Sequence, residues 1–290
     1  MARSSDIDPD MQAEQAFQAV ARACIERYRR HLPVLRQSWD SEALHQARVG
    51  LRQLTATFAL FRPMIEDAPF RRLSARIKDA GRLLGKARNL DIVLEAAEQP
   101  DLSALRSTVS VLRSRTYAGV MQRLESDGNH RLGEELLDWV ENGPWRKQRR
   151  QLRHQKLDSF AGRRLDRFWR KFCKHSRHLA DLAPKPRHKV RIAAKTLRYG
   201  LEFMAPLAEG RKARNRRKAL VDALTRLQDG LGTLNDLSIE RRLARGLVRE
   251  GTGVAYDTGR LIGAEEVRTA PLLRRTAKMA RKLRKRKVFW

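Results

Sequence analysis

The chain has 290 residues, enough for one large domain or two small ones, and 41% of them are hydrophobic, which supports a core and excludes wholesale disorder. It carries 62 Lys and Arg (47 of them Arg) against 33 Asp and Glu, a formal charge of +29 whose field attracts polyanions; nucleic acid, anionic lipid and polyphosphate all qualify. No apolar run approaches the roughly 18 residues of a membrane helix, the first ten residues hold no apolar signal core, and Cys24 and Cys173 are too few and too far apart for a disulfide framework, so a reduced, cytoplasmic protein is expected.

The predicted elements are all helical. Pro9 opens a segment through Phe17, Val20, Cys24 and Tyr28, with a kink expected at Pro33. Ser41 is placed to cap a second helix through Leu44, Leu51, Leu54 and Phe61, stopped by Pro63. Leu73, Ile77 and Leu84 mark a third, expected to break at Gly85 and resume from Lys86 to about 98. A fourth runs over 102–126, and a short piece covers 131–140. After the Asn142-Gly143-Pro144 turn signal, 145–182 reads as one long basic helical region. It is followed by 188–204, which ends before Pro206, and by 211–231 and 233–250, divided at Gly232. A Gly-rich loop is expected at 251–263, then a last helix over 264–287 kinked at Pro271. With no strand alternation and few long connections, this is an all-α chain of about eight long helices in two sets of four.

The two sets repeat. A shift of 143 residues lays Leu44–Leu54 over Arg187–Leu197, matching His45 with His188, Arg48 with Arg191 and Arg52 with Lys195. A shift of 147 lays Leu84–Ile92 over Leu231–Ile239. Two matches in the same order predict an internal duplication, with repeats of about 10–143 and 144–285 and flexible ends at 1–9 and 286–290. Two four-helix bundles about a pseudo-two-fold axis would set equivalent residues across a central cleft. The charge is uneven: residues 1–143 sum to +1 and residues 144–290 to +28.

The matched residues form stripes. Positions i, i+3 and i+7 share one helix face, so His45, Arg48 and Arg52 align, as do His188, Arg191, Lys195 and Arg198. Arginine engages phosphate oxygens with a planar fork of fixed charge, and histidine adds a donor that is cationic only near or below a pKa of about 6.5. A track of such donors suits a repeating linear anion. Gly85 and Gly232 are expected either to start new helices whose terminal amides bind phosphate or to allow close contacts. Asp91 and Asp236 are expected to cap helices or orient arginines, and Tyr199 either to pack or to touch phosphate.

Four segments resemble the conserved histidine α-helical domain (CHAD) family over about 10–285: His45-x-x-Arg48-Val49-x-x-Arg52, Leu84-Gly85-x-x-Arg88-Asn89-x-Asp91, the run from His188 to Glu202, and Leu227-Gln228-x-x-Leu231-Gly232-x-x-Asn235-Asp236. The resemblance implies two four-helix bundles about a pseudo-two-fold axis with a basic central cleft that binds inorganic polyphosphate, and in some members association with polyphosphate or polyester storage granules. By position it implies anion contacts at His45, Arg48, Arg52, Arg88, His188, Arg191, Lys195 and Arg198; Lys86 beside Arg88 joins this set. Two departures thin the first-half stripe: Arg88 is followed by Asn89 where the family often has Asp, and Thr55 is neutral where it often has a base.

Other functions fit less well. Each motif histidine has an arginine three residues on, which repels a cation, and no second His or Cys stands at metal-ligand spacing, so no metal or cofactor is expected. The stripes hold almost no acid to position Mg²⁺ or water, so no catalysis is expected. Sequence-nonspecific nucleic-acid binding is the alternative: the charge supports it, while 6% aromatics leave little for a single-strand stacking platform.

Overall fold

The computed structural model describes residues 7–99, 101–126 and 130–290, so residues 1–6 of the expected flexible N-terminal end lie outside the described residues. Ten α-helices follow one another: α1 Ala13–Ser38, α2 Ser41–Ile65, α3 Ala68–Ala96, α4 Ser103–Glu125, α5 Leu132–Asn142, the single turn α6 Arg150–Arg153, α7 Leu157–His175, α8 Pro184–Phe203, α9 Gly210–Leu247 and α10 Thr252–Arg284. The fold is all-α; among the described residues the one β feature is an isolated bridge between Gln12 and Lys156.

Local chemistry fixes the first corner. Trp39 takes a left-handed φ of 51° and closes α1 through its N–H to the Leu35 carbonyl. Asp40, not the expected Ser41, caps α2, its carboxylate accepting from the Ala43 N–H at 2.6 Å. The two helices then cross closely at Gly50, where a Cβ would stand 2.8 Å from the Tyr28 nitrogen and 3.0 Å from the Cys24 carbonyl oxygen. Asp67 caps α3 in the same way through Phe70, and its second oxygen accepts from the Trp139 indole at 3.3 Å.

Several expected breaks are absent. Helix α3 runs unbroken through Gly85 and α9 through Gly232. A glycine costs roughly 1 kcal/mol in a helix, and the buried Leu84, Ala87 and Leu90 on one side and Leu231 and Leu234 on the other outweigh it. Pro33, Pro63 and Pro271 all lie inside helices, and α2 continues two residues past Pro63. Of the Gly-rich stretch 251–263, everything after Gly251 is helical, not a loop. Val254, Thr258 and Leu261 are buried there, the two apolar ones in a small second core with Val93, Leu102, Leu105 and Val109. Asp257 accepts from the Leu105 N–H at 2.9 Å, so α10 caps α4.

The 145–182 region breaks where one helix was expected. Trp145 turns into the core, edge-on to Phe17, and donates to the Trp139 carbonyl at 2.9 Å. Arg149 then adopts φ 47°, and Glu14 gathers Arg146 and Arg153. That junction fastens α1 to the middle of the chain.

Successive long helices pack on one another in each half: α1 on α2, α2 on α3 and α3 on α4, then α7 on α8, α8 on α9 and α9 on α10. Across the halves α2 packs on α8, α3 on α9 and α4 on α10. One large core runs through both halves.

Candidate functional site

Helices α2, α3, α8 and α9 meet around a cavity of about 840 Å³. Helix α2 contributes His45, Arg48 and Arg52; α3 contributes Arg82, Gly85, Lys86 and Arg88; α8 contributes Arg187, His188 and Arg191. Helix α9 adds Asn235, Asp236 and Arg242. Ten of the lining side chains are Arg or Lys, two are His and one, Asp236, is acidic, so the formal charge around the cavity is strongly positive.

The apolar faces of the helices set these side chains. Ala43, Leu44, Ala47, Leu51 and Leu54 bury one side of α2, which turns His45, Arg48 and Arg52 toward α3 and α8. In α8, Val190, Ala193, Ala194 and Leu197 do the same for His188 and Arg191. Gly85 has a role that needs no helix start. A Cβ at Gly85 would lie 2.9 Å from Arg48 Nη1, and one at Gly232 would lie 3.9 Å from Arg191 Nη2. Gly85 therefore makes room for the motif arginine of the neighbouring helix, while at Gly232 a Cβ would meet Arg191 at ordinary van der Waals distance.

Those arginines are held without a full set of partners. Among the described residues, Arg48 Nη1, Arg52 Nε and Arg191 Nε are buried nitrogens with no hydrogen-bond partner. Burial, then the positive charges of Arg52, Arg88 and Arg191, pushes Arg48 down to about 10. Burial also lowers Arg191, opposed by Asp236 and reinforced by Arg52. A buried unpaired donor costs about 1–3 kcal/mol, more when it is charged. The cluster therefore stores electrostatic energy that an anion would release.

The histidines occupy equivalent places in unequal settings. His45 is held below the usual imidazole value by burial and then Arg52, against Glu42. His188 is lowered by burial, opposed by its contact with Asn235, and lowered again by Arg191 and Lys195. Its Nδ1 lies 3.2 Å from Asn235 Oδ1, and Asn235 Nδ2 donates to Asp236. The amide oxygen thus accepts from Nδ1–H.

A sequence model of the CHAD domain matches residues 19–245. The chain belongs to the CHAD domain family. A crystal structure of the CHAD domain from the plant Ricinus communis superposes with a TM-score of 0.81 at 26% identity, over 94% of this chain and 93% of that one. PptA from Streptomyces chartreusis aligns with a TM-score of 0.65 at 16% identity, over 94% of this chain and 100% of that one; at that identity the likeness is one of fold. No curated protein matches the sequence.

In this CHAD domain seven of the nine residues expected at the site, His45, Arg48, Arg52, Lys86, Arg88, His188 and Arg191, line the cavity. Lys195 and Arg198 do not. Arg198 is committed elsewhere: it pairs with Glu202, donates to Gln228 Oε1 at 2.9 Å and lies over the Tyr199 ring at 4.7 Å. Lys195 is largely buried, and burial followed by Arg52, Arg191, Arg48 and Arg198 drives its amine down to about 6. That shift favours the neutral amine in the free protein, and an anion nearby would favour the charged form.

Arg88 is partly neutralised, with Glu95 at 2.8 Å and Asp91 at 3.9 Å. Asp91 itself is buried, accepting from Arg113 Nε at 2.7 Å and the Tyr117 hydroxyl at 2.9 Å, so it orients arginines and helices as expected. Tyr199 is buried and packs on Phe203, which removes it from phosphate contact.

Sequence reasoning missed Arg82, Arg187 and Arg242, and Lys185 and Lys189 at the cavity edge. One signal was readable. Under the 147-residue shift Arg88 falls on Asn235 and Glu95 on Arg242, so the second half moves its arginine two turns along the helix. Among the described residues no three His, Cys, Asp or Glu side chains group as metal ligands, and no helix is long and apolar enough to cross a membrane.

Proposed function

We propose that this CHAD domain binds inorganic polyphosphate in the cavity between α2, α3, α8 and α9 and leaves it chemically unchanged. The observation that carries the reading is the set of buried guanidinium nitrogens on Arg48, Arg52 and Arg191 that lack any partner among the described residues and border the cavity. A chain of phosphates supplies acceptors at close, regular spacing, and each charge-assisted contact adds roughly 1.5–3 kcal/mol. One lining carboxylate is too few to hold a catalytic metal and position water. The halves are read as products of an internal duplication about a pseudo-two-fold axis. Support comes from the motif register and from like helices pairing with like, α2 with α8, α3 with α9 and α4 with α10. Recruitment to polyphosphate or polyester granules in the cytoplasm would follow from such binding.

The test is a titration with long-chain polyphosphate at physiological salt, using the native protein and the double variant Arg48→Gln, Arg191→Gln. Losing two such contacts should weaken binding about 100-fold or more, while exchanging two bases within 211–218 should change it little. Equal losses would make the binding diffuse surface attraction. Shortening of the polyphosphate during incubation with Mg²⁺ would overturn the non-catalytic part.

A further inference from the structure

A second concentration of charge lies outside the cavity. Helix α9 begins with Gly210, and Arg211, Lys212, Arg214, Arg216 and Lys218 are all exposed. None of these five makes a side-chain hydrogen bond or ion pair among the described residues, and the first turn of α9 holds no acidic residue. Arg217, the remaining cation of the run, is half-buried, and its charge acts on the half-buried Glu202.

The C-terminus adds to this group. The end of α10 packs against the start of α9 because the two helices are antiparallel neighbours. Arg286 Nη1 donates to the Ala219 carbonyl at 2.9 Å, and Arg284 donates to the Ser176 carbonyl. The Arg286 bond holds the start of the tail, whose last residues 286–290 were expected to be a flexible end, against α9 at Ala219, and the Arg284 bond ties the end of α10 to the residue after α7. Arg281, Lys282, Lys285 and Lys287 are exposed there, again without carboxylate partners.

This arrangement costs stability. Cations at a helix N-terminus face the positive end of the macrodipole, each unfavourable by roughly 0.3–1 kcal/mol at low salt, and the neighbouring tail adds like-charge repulsion. Glu209, the N-cap residue of α9, offsets part of that cost, but it forms no ion pair with any of the five among the described residues. Thirteen residues of unbroken helix, about 20 Å, separate Lys218 from Leu231, where α9 first lines the cavity. The two groups of charge are separate.

We infer that the start of α9 and the end of α10 form a second polyanion surface that seats the phosphate backbone of duplex nucleic acid without reading sequence. The surface consists of exposed side chains on helices, without the buried donors that line the cavity, and so suits a broad, stiff, highly charged partner. A single-strand stacking mode is disfavoured. Trp290 donates to Asp166 Oδ1 at 2.9 Å and packs edge-on with Phe289, so the terminal aromatics are occupied. A bilayer is disfavoured too, since the exposed run offers no large apolar side chain to insert. The inference does not rest on the polyphosphate reading.

The experiment measures fluorescence anisotropy of a mixed-sequence 24-base-pair duplex, about two helical turns, from about 50 to 200 mM NaCl. It compares the native protein, the surface variant Lys212→Gln, Arg214→Gln, Arg216→Gln, Lys218→Gln, and the cavity variant Arg48→Gln, Arg191→Gln. If about four of the exposed cations engage phosphates at once, the native log–log salt slope is about −4. The surface variant should bind duplex at least 10-fold more weakly with a much shallower slope, and the cavity variant should bind it as the native protein does. Thermal unfolding of the surface variant at or above the native midpoint excludes misfolding. Unchanged duplex binding by the surface variant, or equal loss by the cavity variant, overturns the inference. So does a surface variant that loses polyphosphate or anionic vesicles while keeping duplex.

Discussion

Lys195→Met tests the electrostatics of the cavity most directly. The amine lies behind the stripe, within the fields of Arg52, Arg191, Arg48 and Arg198, and burial with those fields brings it to about 6. In the unfolded chain the same amine titrates at about 10.5. Between those two values the unfolded chain binds more protons than the folded one, so this lysine makes stability rise with pH from about 6 to about 10.5. Methionine, similar in length and always neutral, should raise the unfolding midpoint most at pH 5.5, and that gain should shrink steadily as pH rises toward about 10.5. Binding provides the complementary readout. Phosphates in the cavity favour the charged amine, so the native protein should take up close to one proton per site on binding at pH 8.5, above the histidine range. Calorimetric titrations in buffers of differing ionisation enthalpy measure that uptake, and the methionine variant should show almost none. Equal uptake by both proteins, or none by the native one, would show that Lys195 is not held neutral beside the cavity.

The histidines can be isolated in the Lys195→Met background. Both are lowered in the free protein and would be raised by bound anion, so polyphosphate affinity should climb as pH falls from 8 and keep climbing below the usual imidazole value; a flat profile to pH 5.5 at constant ionic strength removes them from the site. Glu240 and Glu265 face each other across α9 and α10, with Asp236, Arg241 and Arg268 nearby. Burial raises both carboxyls; Glu265 and then Asp236 raise Glu240 further, while the hydrogen bond from Glu240 and the charge of Arg241 partly offset the rise at Glu265. The folded protein therefore holds protons the unfolded chain has lost, and stability falls as pH rises above the ordinary carboxylate range. Glu240→Gln should flatten that fall in thermal scans from pH 5 to 9, and an unchanged slope refutes it. Gly50→Ala drives a Cβ into the α1 backbone. The overpacking cost of about 1–3 kcal/mol should exceed the roughly 1 kcal/mol helix gain and lower the urea midpoint. Gly81→Ala in α3, with open space around its Cβ, should raise it; the same sign for both would refute the steric argument.

The histidine and arginine stripe of α2 was legible because it is written in helical arithmetic. His45, Arg48 and Arg52 recur at the spacing of one face, and α2 needed only its buried leucines to turn that face inward. What the sequence hid depends on which neighbour each side chain meets. Arg198 sits in the stripe by spacing, yet Glu202 one turn on and Gln228 across in α9 capture it. Lys195 shares the spacing, but burial and the crowd of guanidiniums favour its neutral amine. The glycines misled for a related reason. Gly85 and Gly232 read as breaks when the local rule stands alone, but the leucines around them carry the helix through.

That last correction bears on how the anion site works. With a break at Gly85 or Gly232, the cavity would bind through helix-end amides, whose partial charges are fixed. With continuous helices, Gly85 makes room for Arg48, and the binding energy resides in side chains that titrate or remain unpartnered. The site is then responsive. Its lysine favours the neutral amine until the ligand arrives, its histidines are poised below neutral pH, and its arginines carry unmet hydrogen bonds in the free protein. Proton uptake and pH-dependent affinity follow from that design, whereas a site built on amides would bind with no proton uptake. Measuring the proton count therefore distinguishes the two architectures as well as the role of one lysine.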